Sequence, residues 1–200
     1  MQSASEHAMI ALFLQSEWHS PKRWQPVIHD YLESHHLDSE IITSPDTENP
    51  AENAKRLAIF DSYRHYTARI DLFEGFPQDV KWHHGTITLN NLRQVQYIDY
   101  SYWNKLSDGT RLAMNAVANI WADKRIYDVS NDGFRHLAML LRDGASFPPL
   151  ILVSTDAEDT LVVLEGHARL TAYMLASDNV PDSLLVMIGL SPQMTQWVYF

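Results

Sequence analysis

The sequence predicts an α+β protein with a small mixed β-sheet and packed helices, and two kinds of observation lead to this prediction. Short apolar runs such as Leu150–Val153 and Leu184–Ile188 are bounded by proline, glycine or acidic turns, as is typical of buried strands. Longer segments carry apolar residues at helical spacing. Because helices and strands are mixed along the chain, the pattern favours α+β, with α/β around a small sheet as the alternative.

Length and composition indicate a globular protein without disulfide bonds. Two hundred residues suffice for one domain, or for one domain with an extension, and for a core that needs no disulfide or metal. The absence of cysteine excludes a disulfide framework, a thiolate nucleophile and a cysteine zinc site. The formal net charge of −10 argues against a broad nucleic-acid surface, because such surfaces depend on clustered lysine and arginine. Nucleic acid is therefore not expected as a partner.

A membrane location is not expected from the sequence. The apolar stretch Ala8–Leu14 is too short to cross a bilayer. It follows Glu6 and lacks a basic leader, so it does not resemble a signal peptide. We therefore expect a cytoplasmic protein.

The first elements are predicted to be helical. Residues 7–17 form one helix, and Pro26 opens a second that points Val27, Ile28, Tyr31 and Leu32 inward. The polar segment 44–53 is predicted as a loop. We expect it to separate an N-terminal helical extension, residues 1–50, from a main body, residues 51–200. A further helical pattern runs from Ala51 to about Leu72.

The middle of the chain contains the most aromatic run. Residues 79–84 alternate like a strand, and Thr88 is placed to cap a short helix. The run from Tyr97 to Trp103 is predicted as a strand with Asp99 and the two terminal aromatics on one face. Half-buried core is the favoured interpretation. Stacking on a ligand ring stays open because Asp99 lies among the aromatic residues.

The last hundred residues alternate between helices and strands. Helices are predicted over 112–122 and after Ser130, the second ending at Gly144. A hairpin follows, with its tip at Asp156–Asp159, and its second strand, Leu161–Leu164, leads into a helix that starts near His167. The strand Leu184–Ile188 and a short helix over 191–197 complete the chain.

The junction at Glu165, Gly166 and His167 is the strongest candidate for a functional site. A strand that enters a helix through glycine leaves backbone N–H groups free at the positive end of the helix dipole, where anions bind. An acid, an imidazole and the cation of Arg169 surround this helix start. The alternative is an ordinary turn with a salt bridge between Glu165 and Arg169.

The segment EGHARLTAY is similar to the phosphate-binding box of the ParB/sulfiredoxin-like superfamily, which typically reads (D/G/A)GxxRxxA. Gly166, Arg169 and Ala172 fall on its fixed points. The flanking segments 131–145, 147–153 and 180–188 also resemble the helix and strands that surround the box in that family. The resemblance covers about residues 125–190 and implies a ParB/sulfiredoxin-like core.

The resemblance also implies a nucleotide or another phosphate-bearing small molecule as ligand. Gly166 would let the backbone approach a phosphate, Arg169 would pair with its oxygens, and His167 would donate a further hydrogen bond. The candidate ligand-binding set is completed by Thr171 and Asp99. Glu165 and His167 are the candidate catalytic residues, with Glu165 holding Mg²⁺ beside a nucleoside phosphate or acting as a base towards a hydroxyl.

Three hypotheses about function follow. The first is a nucleotide-handling enzyme, a phosphotransferase or hydrolase, although the absence of cysteine excludes the sulfiredoxin mechanism. The second, a ParB-like DNA regulator, ranks lower because the chain is acidic and only residues 189–200 follow the last predicted strand. The third is a non-catalytic protein that binds a protein partner. Arg169 and His167 lining an open cleft would favour the first, and a covered Glu165–Arg169 pair would favour the third.

Other site chemistry has little support in the sequence. Ten histidines suggest metal binding, but His35-His36 and His83-His84 are adjacent pairs, and no HExxH or HxH motif occurs. The chain also lacks the GxSxG and GxxxxGK(S/T) motifs. No metal site is therefore predicted.

Overall fold

The computed structural model describes residues 1–20 and 23–200 and contains one five-stranded mixed sheet. The strand order is β1-β2-β5-β3-β4, in which β3 and β5 are parallel and every other pair is antiparallel. The strands are β1 (Gln2–Ala4), β2 (Lys81–Ile87), β3 (Leu150–Ser154), β4 (Val162–Glu165) and β5 (Leu184–Leu190). The predicted α+β class is confirmed. The short β1 was not predicted.

Helices cover both faces of the sheet. They are α1 (Glu6–Trp18), α2 (Gln25–Ser34), α3 (Glu40–Thr43), α4 (Pro50–Arg64), α5 (Leu89–Leu92), α6 (Ser101–Leu106), α7 (Ala113–Trp121), α8 (Asp132–Arg142) and α9 (His167–Leu175). Four short 3-10 turns, Asp71–Phe73, Ile126–Asp128, Ser177–Asn179 and Met194–Gln196, join or follow them. Among the helices in the described ranges, none is long and apolar enough to span a membrane.

Three sequence predictions about the first half need correction, two of them at element boundaries. The predicted loop 44–53 ends at Asn49, whose side chain accepts hydrogen bonds from the first turn of α4. The helical pattern predicted to reach Leu72 stops at Arg64, because His65 adopts a left-handed conformation with φ +50°. Val27, predicted to face inward, is 41% exposed.

The predicted strand Tyr97–Trp103 is wrong. The chain turns at Tyr100 into helix α6, and this turn brings the ring of Trp103 back onto Tyr97, with 4.5 Å between the ring centroids. Six residues along a strand would separate the two by roughly 20 Å. Stacking in the core therefore overrides the β-propensity of the aromatic run. Tyr97 is fully buried, as the core interpretation predicted, whereas Tyr100 is half exposed.

The two faces of the sheet bury separate apolar clusters. Strand β3 shows the alternation that this requires, since Ile151 and Val153 point to one face and Leu150 and Leu152 to the other. The face of Ile151 is covered by apolar side chains of α1 to α4, and the opposite face by those of α5 to α9. Residues 1–50, predicted as an extension, thus pack in the same core as residues 51–200.

One connection outside the strands positions the predicted site. The backbone N–H of Gln96 donates to Leu161 O at 2.9 Å, and the N–H of Val163 donates to Gln96 O at 2.9 Å. These bonds pair Gln96 with the outer edge of β4. Tyr97, the next residue, is thereby held beneath α9.

Candidate functional site

The strand–glycine–helix junction is present as predicted, and it requires glycine. Gly166 has φ +109°, a conformation that residues with a side chain rarely adopt. A Cβ atom there would lie 2.5 Å from a Leu150 methyl carbon and 3.0 Å from Arg169 Nη2. Gly166 therefore lets β4 end at Glu165 and α9 begin at His167 with Arg169 folded closely against the turn.

Arg169 is held by acceptors of the protein itself. Its Nη1 donates to Pro148 O at 2.6 Å and to Pro149 O at 3.0 Å. Its Nη2 donates to the hydroxyl of Ser16 and to Glu165 Oε1, the latter at 3.3 Å. The residue is only 8% exposed, and burial lowers the pKa of its guanidinium against the opposing effect of Glu165. Glu165 and Arg169 thus form a salt bridge in which Arg169 is covered by the protein. They do not line an open cleft.

Ser16 closes this arrangement from the other end of the chain. It lies in the last turns of α1 and donates from Oγ to Glu165 Oε1 at 3.0 Å. The sequence analysis missed Ser16. No local pattern signals it, because 149 residues separate it from Glu165 and only the packing of α1 on the sheet brings them together.

A second buried ion pair lies next to the first. Glu17 is 1% exposed and accepts from Tyr63 Oη at 2.6 Å and from Arg64 Nε at 3.3 Å, and Arg64 Nη2 pairs with its other oxygen. Burial raises the pKa of Tyr63 well above its usual value and lowers that of Arg64 to about 10. In both cases the charge of Glu165 is the next contribution, so the two ion pairs share one electrostatic site. Arg64, at the end of α4, is therefore largely buried in this ion pair and does not lie on a solvated helix face.

His167 is a neutral imidazole in an aromatic setting. Its ring stacks on Trp103 with 5.1 Å between centroids, and Tyr97 lies beyond at 6.3 Å. Burial, followed by the charges of Arg64, Arg169 and Arg23, lowers the pKa of His167 to about 3. Its Nε2 is buried and has no hydrogen-bond partner in the described part of the chain. A neutral imidazole still donates from one nitrogen, as the predicted role requires.

Thr171 and Asp99 lie in different surroundings. Thr171 is fully buried, donates to His167 O at 2.8 Å and lies 2.6 Å from Tyr97 Oη, so it contacts the junction from below. Asp99 is exposed and accepts from Asn104 Nδ2 at 2.7 Å. Within the described ranges no hydrogen bond or ion pair joins Asp99 to Glu165, His167 or Arg169. The structure therefore groups the predicted site residues without Asp99.

The first turn of α9 presents donors and positive charge. The helix has nine residues, and no side chain caps its start. Within residues 1–20 and 23–200, the backbone N–H groups of His167, Ala168 and Arg169 have no acceptor. The charges of Arg64, Arg169 and Arg23 act on His167 in this turn, and the carboxylates that pair with or act on these arginines are Glu165, Glu17 and Asp71. Such an arrangement favours an anion.

Metal binding has weak geometric support here. Glu165 presents one half-buried carboxylate, and its nearest charges are the cations of Arg169 and Arg64, which oppose a dication. These residues do not fit Mg²⁺ by themselves. Elsewhere in the described chain, His29, Asp30 and Glu33 on α2 are the group whose ligand atoms lie within 4.8 Å of one another, and all three are exposed.

Comparison with known proteins identifies no protein that is similar to this chain. No family model, no curated protein and no solved structure matches the chain. The similarity of residues 125–190 to the ParB/sulfiredoxin-like superfamily therefore stays a prediction, and the site is interpreted from its own geometry.

Proposed function

We propose that the protein binds a phosphate-bearing small molecule, a nucleotide in particular, at the start of α9. The observation that carries this proposal is the unpartnered first turn of α9 with three arginines around it. Free N–H groups and fixed cations are the two features that proteins use to hold phosphate. The resemblance of the box to a nucleotide-binding family and the expected cytoplasmic location belong to the same proposal.

The role of Arg169 differs from the one that the resemblance implies. Its four terminal N–H groups already face acceptors of the protein. Arg169 therefore positions the residues around it and contributes positive charge, but it does not donate hydrogen bonds to the ligand. Contact with the phosphate oxygens falls to the backbone of α9 and to Arg23, which is exposed. Arg23 is therefore the side chain whose loss should weaken binding without disturbing the fold.

Thermal unfolding against a panel of ligands tests the proposal. The panel contains inorganic phosphate and nucleoside mono-, di- and triphosphates, each with and without Mg²⁺. A ligand at a hundred times its dissociation constant should raise the free energy of unfolding by about 2.7 kcal/mol. Arg23→Gln should unfold at the wild-type temperature without ligand and show a smaller shift with ligand.

The matched control is Arg125→Gln. Arg125 is also an exposed arginine, but it pairs with Asp123 and is not among the arginines that act on His167, so its replacement should leave the ligand shift unchanged. No shift with any member of the panel, or equal shifts in wild type and Arg23→Gln, would contradict the proposal.

A second candidate function is supported by the closed Glu165–Arg169 pair. If the box only stabilises the fold, the protein acts by binding another protein and not by catalysis. Exposed aromatic side chains suited to such a contact are Tyr100, Trp121 and Tyr127, which are 50–56% exposed. A partner retained by wild type and lost in Trp121→Ala or Tyr127→Ala, together with no ligand shift, would favour this function over the first.

A further inference from the structure

We infer that Ser16 is a phosphoryl acceptor, so that the protein phosphorylates itself on α1. The inference rests on the proposed function and narrows its ligand to a nucleoside triphosphate. Its basis is the position of one hydroxyl between a carboxylate and a guanidinium at the edge of the anion site.

The immediate geometry is that of an activated hydroxyl. Ser16 Oγ donates a hydrogen bond to Glu165 Oε1 at 3.0 Å. The same serine oxygen accepts a hydrogen bond from Arg169 Nη2. The carboxylate is placed to receive the hydroxyl proton, and the guanidinium stabilises negative charge on the oxygen. Phosphoryl transfer depends mainly on such positioning and charge neutralisation.

Ser16 is distinguished from the other hydroxyls of the site. Thr171 is fully buried, and Tyr63 donates to the buried Glu17, so neither combines access with a partly exposed carboxylate. Ser16 is only half-buried, and the Glu165 side chain is 20% exposed. The transferred phosphate would lie beside Ser16, because the Ser16 hydroxyl bonds to Glu165 and Arg169, which flank the start of α9.

The step balances with the groups named. Ser16 Oγ forms a bond to the γ-phosphorus as the bond from that phosphorus to the bridging oxygen breaks. The bonding electron pair leaves with the nucleoside diphosphate, and the hydroxyl proton moves to Glu165. The products are phosphoserine at position 16, a neutral Glu165 carboxyl beside it and the free diphosphate.

The test is intact-mass spectrometry of the purified full-length chain after incubation with each of the four common nucleoside triphosphates, with and without Mg²⁺. We expect a gain of one phosphoryl group that peptide mapping assigns to Ser16. Ser16→Ala should abolish the gain, and Ser16→Thr should retain part of it. Ser34→Ala, which alters an exposed serine on α2, is the matched control and should behave like wild type.

Glu165→Gln separates a chemical role from a structural one. The amide keeps an oxygen that accepts from Ser16 but no longer takes a proton, so transfer should slow by about 10²-fold or more while the ligand-induced thermal shift remains. Ligand binding without any mass gain at Ser16 would overturn this inference and leave the proposed function intact. Absence of both the thermal shift and the mass gain would reject the two together.

Discussion

Arg169 and His167 show how single residues of this site differ from what their motif implies. Arg169 resembles a phosphate-binding arginine in sequence, yet its donors point at Pro148, Pro149, Ser16 and Glu165. Its loss would leave Glu165 half-buried without its cation and two proline carbonyls without a donor. The first role of Arg169 is therefore to stabilise the fold.

Replacing Arg169 should destabilise the protein strongly. We expect Arg169→Gln to lower the free energy of unfolding by about 3 kcal/mol or more, since breaking a buried pair leaves an uncompensated charge. Arg125→Gln removes an exposed pair and should cost less than about 1 kcal/mol. Urea unfolding of both variants measures the difference. Equal stability of the two would contradict the closed geometry around Arg169.

The lowered pKa of His167 predicts acid sensitivity. The pKa is about 3 in the folded protein and near 6.5 in the unfolded chain, so between these values the unfolded state binds the extra proton. This contribution to stability is complete above pH 6.5 and is lost as the pH falls towards 3, by at most about 1.4 kcal/mol per pH unit.

The variant His167→Gln should flatten that acid slope. Urea unfolding of wild type and variant between pH 4.5 and 7 gives the comparison, and His29→Gln, which changes an exposed histidine, should keep the wild-type slope. Identical slopes in wild type and His167→Gln would show that burial and the charges of Arg64, Arg169 and Arg23 do not hold the imidazole neutral.

The junction between β4 and α9 was predictable because its signals are local. An apolar run, one glycine and a helical repeat lie within fifteen residues and define the turn without tertiary information. The conformation of the aromatic run after Tyr97 could not be predicted from local signals, because α6 forms where Trp103 can stack on Tyr97 and His167. For the same reason Ser16, Glu17 and Arg64 stayed hidden: their contacts join elements far apart in sequence.

Gly166→Ala should disrupt the junction between β4 and α9. The change forces a side chain into a left-handed conformation and against Leu150, so we expect a loss of about 3 kcal/mol from strain and overpacking together. Gly144→Ala is the matched control, since Gly144 has φ +89° and open space around it, and should cost about 1 kcal/mol. Thermal unfolding compares them. Equal losses would show that the close approach of Leu150 and Arg169 is absent.

The whole molecule is organised around a sheet that is buried on both faces. Apolar residues of α1, such as Met9 and Phe13, share a cluster with Ile151 of β3 and Met187 of β5. The first fifty residues thus complete the layer that covers one face.

Deleting residues 1–50 should therefore abolish cooperative folding. The fragment 51–200 would expose Ile151, Val153 and Met187 and would lose Ser16 and Glu17 from the site. Circular dichroism with thermal unfolding of the fragment and of the intact chain is the measurement. A sharp transition in the fragment would instead support an independent domain from residue 51.

Strand β5 is the last of the five strands in the chain, yet it lies at the centre of the sheet. It alone joins β1 and β2 on one side to β3 and β4 on the other. Until β5 leaves the ribosome, these two pairs are separate two-stranded pieces, which are marginally stable in water. Pairing β2 with β5 then closes a loop of about a hundred residues, a slow step for a chain of this length. The nascent protein therefore passes through an interval with both apolar faces open, in which chaperones and proteases compete for it.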